Sequence, residues 1–129
     1  MIPLFTMLLA TSNPPLNCKA PTDQVSISEC IAADFQRADA ELNRVWAKVM
    51  AWARDSDADL TSMAIDSGPK LAPTLRVAEN AWLAYRDAQC TAEGLAFRGG
   101  TVQPSVVLAC KTRLTKSQSY ELRRLSGVE

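Results

Sequence analysis

The sequence predicts an all-α domain, a small three-helix bundle running up-down-up with two disulfides clustered at one end. Three observations lead there. Apolar residues recur every three or four positions in three long stretches, and Gly- and Pro-containing breaks separate those stretches. No segment alternates apolar and polar residues as a half-buried strand would. The four cysteines, Cys18, Cys30, Cys90 and Cys110, lack the CxxC spacing of a zinc or redox site and come as an even number in a short chain.

Residues 1–13 read as a leader. Ile2 to Ala10 is an apolar run too short for a bilayer, which needs about 20 residues, and it matches the apolar centre of an export signal. It lacks a basic start, and Pro3 interrupts it. The domain proper spans residues 18–126, and residues 11–21 are a Pro-rich lead-in with no helical pattern. Thr22 or the Ser26–Glu29 capping box can start the first helix. Its stripe is Ile31, Phe35, Ala38, Leu42, Val45 and Val49, and the pattern lasts to about Arg54. Residues 55–72, acidic and closed by Gly68-Pro69, read as a loop with at most one helical turn. Pro73 suits a first helical position, and Leu75, Ala78, Trp82, Tyr85 and Gln89 stripe the second helix. Residues 94–104, broken by Gly99-Gly100, form the next loop. Pro104 opens a third helix striped by Val107, Cys110, Leu114, Leu122 and Leu125.

Antiparallel packing of these helices brings all four cysteines to one end. That clustering leaves each of the three possible pairings sterically open. We favour Cys18–Cys30 and Cys90–Cys110, because each pair closes a local segment and the second clamps the loop 94–104. On the same placement Arg86 falls at the level of Asp34, with Asp39 about one turn farther, and these three residues form an interhelical ion pair. Trp82 and Tyr85 read as core. Trp46 and Trp52 lie off the first stripe; one can cover the bundle edge, and exposure for binding is the lesser alternative for the other.

Composition excludes several functions. The 14 basic and 14 acidic residues balance, so no global charge recruits nucleic acid. The charge is nevertheless uneven. Residues 19–97 hold 8 basic and 12 acidic side chains, and residues 98–129 hold 6 and 2. The absence of histidine removes the usual proton shuttle and the commonest metal ligand. Neither a metal nor a cofactor is expected. Asp34, Asp39 and Glu41 on one helix face do not make a glycosidase pair, which needs two carboxyl groups facing each other across a cleft. No catalytic residue is assigned.

The run Ala81-Trp-Leu-Ala-Tyr-Arg-Asp-Ala-Gln-Cys90, the segment Gly99-Gly-Thr-Val-Gln-Pro104, Cys110 and Arg113-Leu-Thr115 resemble the LprI-like lysozyme inhibitor family of bacterial envelope proteins. Thr22, Cys30 and Ala38-Asp-Ala-Glu-Leu-Asn43 agree with it. The resemblance runs from Cys18 to Leu125. It departs at Arg76-Val-Ala-Glu79, where family members often have a Gln-rich start to the second helix. It implies a helical, non-enzymatic domain in the periplasm or outside the cell. Its partner would be a protein, lysozyme being the founding case, and no membrane insertion would remain once the leader is removed. The alternative within that implication is an envelope scaffold that binds another protein or peptidoglycan. Phe97, Arg98, Gly99, Gly100 and Thr101 are the candidate partner-binding residues. The glycines allow a tight turn, and Arg98 beside Phe97 offers a cation to a cleft that holds two carboxylates. Alkylation of the denatured, unreduced mature protein should label none of the four cysteines. Labelling of two or more would remove the case for export.

Overall fold

The structure, a computed structural model, describes residues 15–65 and 68–129. The leader assigned to residues 1–13 lies outside that range. Three helices account for most of the described chain: α1 (Gln24–Ser62), α2 (Leu71–Leu95) and α3 (Gln103–Ser126). The two disulfides are Cys18–Cys30 and Cys90–Cys110, with Cα separations of 5.5 and 5.4 Å.

Helix α1 starts at neither expected cap. Asp23 is the capping residue, its carboxylate accepting from the backbone N–H of Ser26 at 2.8 Å. That N–H and the Ser26 hydroxyl hold the Asp23 carboxyl below its ordinary range. The stripe then buries Ala38, Leu42, Val45 and Val49 as its period requires, and continues through Met50 and Ala53. Here the expected end at Arg54 fails. The helix runs eight residues farther, through the acidic stretch that had read as a loop, because that stretch is tied to the next helix. The two carboxylate oxygens of Asp57 accept from the backbone N–H groups of Leu71 (2.7 Å) and Ala72 (2.9 Å). The first turn of α2 has no cap of its own, since Lys70 makes no side-chain capping bond. A carboxylate of α1 supplies the missing acceptor. Helix α1 then closes in a Schellman arrangement, with Ala64 N–H to Thr61 C=O and Ile65 N–H to Leu60 C=O. This places Ala64 at φ 56°, a conformation usually left to glycine.

Helix α2 begins two residues before Pro73, which sits in the first turn where its missing N–H costs nothing. Helix α3 carries Pro104 in its first turn and ends on Gly127 at φ 70°, whose N–H closes on the Arg123 carbonyl at 2.7 Å.

The core lies mainly between α1 and α3, with α2 packed more closely on α3 than on α1. Leu42, Val45, Val49 and Leu122 form its centre, extended by Met50, Ala53 and Ala72. Trp46 and Trp52 are both half-buried and touch both groups. Neither is the open aromatic that the stripe had suggested. Two other positions need correction: Tyr85 is 55% exposed and Leu125 50% exposed. Ala78 is exposed as well. The places assigned to them are filled by polar groups, because α2 turns Glu79 and Arg86 inward and α3 turns Thr115 and Ser119 inward. Glu79 is satisfied by the Gln118 side-chain amide, which donates to it at 2.7 Å. Burial pushes the Glu79 carboxyl above the ordinary glutamate range, more than Gln118 and Arg86 pull it down.

Two outcomes follow. Asp57→Ala should lower the melting temperature by several degrees, because it strips the start of α2 of its acceptor, whereas Asp55→Ala and Asp59→Ala should leave melting unchanged. The lowered Asp57 carboxyl stabilises the fold above the ordinary aspartate range, and that contribution is lost as pH falls through its depressed value. Glu79 has the opposite sign. Its raised value favours the protonated fold, so its contribution is lost as pH rises through that value. Glu79→Gln keeps an acceptor for Gln118 and should melt above the wild type at pH 7, with the gap closing toward pH 4. An equal or lower melting temperature at pH 7 would contradict the burial cost.

Candidate functional site

Among its ionisable residues the chain sets one apart in the bundle and another at its end. Arg86, on the inner face of α2, has a side chain only 9% exposed. Its guanidinium lies over the rings of Phe35 from α1 (5.6 Å to the centroid) and Trp82 (5.3 Å). It donates to the Thr115 hydroxyl of α3 at 3.3 Å and to Asp87 at 3.0 Å, and stands 3.7 Å from Asp39. Asp34, expected at its level, is instead engaged by Arg37 one turn along α1. Asp87 and the two rings are partners of Arg86 that helical spacing alone does not reveal. The adjacent Arg-Asp pair was their only local signal. The third carboxylate of that α1 face, Glu41, is held by Arg44 and by Arg123 of α3. The three carboxylates are thus each engaged by an arginine and do not oppose one another across a cleft. Among the described residues no three metal-ligating side chains come together.

The other site is the connection between α2 and α3. It is shorter than the expected loop, because α2 reaches Leu95 and α3 begins at Gln103. Its feet are joined three ways. The Cys90–Cys110 bond is the first, and the Glu93–Arg113 ion pair at 2.8 Å the second. The third is Gly94, buried where α2 meets the start of α3. A Cβ there would lie 2.4 Å from a methyl of Val107, so only glycine allows this approach. In the sequence Gly94 reads only as a helix end, and nothing local signals this role.

Between the feet, tight turns run from Phe97 N–H to the Gly94 carbonyl (2.9 Å), Arg98 N–H to Leu95 (3.2 Å) and Gly100 N–H to Phe97 (3.1 Å). Gly99 takes φ 81°, which lets the chain reverse. These turns leave Phe97 51% exposed beside Arg98, and Thr101 and Val102 are also exposed. Arg98 has no side-chain hydrogen bond or ion pair among the described residues. The segment is a short, braced loop that presents one apolar ring and one cation to solvent.

Comparison with known proteins places the sequence in a family. An uncharacterized protein of Rhizobium meliloti (strain 1021) is 33% identical over 112 residues, covering 87% of this chain and 80% of the relative. No solved structure matches the chain. The family model described as lysozyme inhibitor LprI matches residues 18–122, from the first disulfide cysteine to the last core leucine of α3. The chain therefore belongs to the LprI lysozyme inhibitor family.

Proposed function

We propose that this protein is an exported, non-enzymatic inhibitor that binds lysozyme and blocks its cleft with the loop between α2 and α3. Family membership over residues 18–122 carries the proposal. Two further observations support it. Both cysteine pairs are bonded, which suits the periplasm or the outside of the cell, where disulfides persist. Among the described residues no helix is long and apolar enough to cross a membrane. The loop supplies the contact. Phe97 buries its ring against the partner, and Arg98 places a guanidinium against the carboxylates that a glycosidase cleft holds. The braced feet keep the loop close to its bound shape, so little conformational freedom is lost on binding.

Charge away from the loop assists the encounter. Residues 19–97 carry an excess of four acidic groups, 12 against 8, and animal lysozymes of the common type are basic. Asp55 and Asp59 are available for that attraction. Asp57 is not, because it caps α2. The attraction should fade with salt, as the Debye length shortens from about 10 Å at 0.1 M to about 3 Å at 1 M.

A turbidity assay with purified lysozyme and cell-wall substrate tests the reading. The wild type should inhibit clearing. Arg98→Glu should weaken inhibition by roughly 30-fold or more, the loss expected of a central charged contact, with helicity and melting unchanged. Reversal of Asp55 and Asp59 should slow association about tenfold at low salt and leave dissociation alone. Inhibition undiminished in Arg98→Glu would move the contact to a helix face. Failure of the wild type against every lysozyme would make the protein an envelope scaffold for another protein or for peptidoglycan.

A further inference from the structure

Helix α2 is inverted in polarity. Its five charged residues are Arg76, Glu79, Arg86, Asp87 and Glu93, and all lie toward α1 and α3. Glu79 and Arg86 are buried. Asp87 and Glu93 reach Lys111 and Arg113 of α3, and Arg76 borders the groove against α1. The opposite face carries no charge along its whole length. Thr74, Val77, Ala81, Ala84, Ala88, Thr91 and Leu95 follow one another at intervals of three and four, and all are exposed. Ala78, Tyr85 and Ala92 flank them, equally exposed. Val77 at 70% and Tyr85 at 55% are among the most exposed large side chains of the chain. Both threonine hydroxyls are turned back onto their own helix, Thr74 to the Lys70 carbonyl at 2.6 Å and Thr91 to the Asp87 carbonyl at 2.8 Å. The seam therefore shows methyl groups.

A strict three-four alternation over three heptads is the spacing by which one helix follows another. Among the described residues nothing packs on it, because the core of α2 lies on the other side. We infer that this face pairs with the same face of a second copy of the chain, antiparallel about a two-fold axis between positions 82 and 83. The pattern fits itself in that register. Ala81 meets the second copy's Ala84, Val77 meets its Ala88 and Thr74 meets its Thr91. Small side chains let the two axes approach to the short end of the usual 8–10 Å.

The charges at the rim select this partner. Arg76 has no hydrogen-bond or ion-pair partner among the described residues, and it stands on the same flank as Asp87, three turns away. The two-fold axis lies one residue from their midpoint, so each Arg76 comes within a turn of the Asp87 of the other copy, whose half-exposed carboxylate also contacts Arg86 and Lys111. The two contacts are identical, as a closed two-fold interface demands.

The area sets the strength. A seam about 30 Å long and one helix wide buries roughly 900 Å² in total, below the range of stable complexes. The dimer is therefore weak, with a dissociation constant on the order of tens of micromolar.

Sedimentation equilibrium of the oxidised chain from about 1 µM to 1 mM should show monomers passing into dimers, with half-association at tens of micromolar. Ala84→Arg places two cations beside the two-fold axis and should leave the chain monomeric throughout, with unchanged melting at low concentration. Arg76→Asp should weaken association about tenfold. A wild type that is still monomeric at the top of the range, its face then being free for some other helix, overturns the pairing. So does a dimer that Ala84→Arg leaves intact. Undiminished association of Arg76→Asp overturns the antiparallel register. None of these readouts depends on lysozyme, so this pairing and the proposed inhibition stand or fall separately.

Discussion

Arg86 carries a full charge into the middle of a small bundle, and the groups that make this tolerable determine how the three helices meet. Its guanidinium needs the Phe35 and Trp82 rings on its faces, the Thr115 hydroxyl on one edge and carboxylates within reach. Phe35 and Asp39 belong to α1, Trp82 and Asp87 to α2, and Thr115 to α3. A rotation of any helix would strip the cation of part of its surroundings, and leaving a buried charge uncompensated costs roughly 3–5 kcal/mol. The apolar core at Leu42, Val45, Val49 and Leu122 would tolerate many arrangements of similar volume. The buried arginine narrows them to one.

The same interfaces cancel most of the charge asymmetry that runs along the chain. The basic third helix faces the acidic first two. Arg123 meets Glu41, Lys111 meets Asp87 and Arg113 meets Glu93. What reads in the sequence as an acidic half followed by a basic half is, in the folded protein, largely an internal complementarity between α3 and its two neighbours. Charges outside these pairs stand at the periphery, among them Arg98 on the loop, Arg76 on α2, and Asp55 and Asp59 near the far end of α1.

Much of this was legible in advance, for identifiable reasons. The first stripe, the three helices and the pairing of each cysteine with its nearer neighbour follow from period and proximity. The errors arose where a polar group took over an apolar group's task. Hydrophobic spacing reads Tyr85 and Leu125 as core, and cannot reveal that Glu79, Arg86, Thr115 and Ser119 occupy that side. It also ended α1 at the acidic stretch, since Asp57 looks like any loop aspartate until its long-range acceptors' role at Leu71 and Ala72 is known. The connection at Phe97 to Thr101 was visible from Gly99-Gly100. The need for glycine at position 94 depends on Val107 of another helix, and no local pattern encodes it.

The two disulfides join residues only 12 and 20 positions apart, and this ordering matters for a chain that meets its oxidant one end first. Under the proposed export, a chain threaded N-terminus first would present Cys18 with Cys30 as its first available mate while the next thiol is still 60 residues behind. By the time Cys90 emerges, the earlier pair can already be closed, and Cys110 is the thiol left to it. The order of emergence thus favours the observed pairings over the two others.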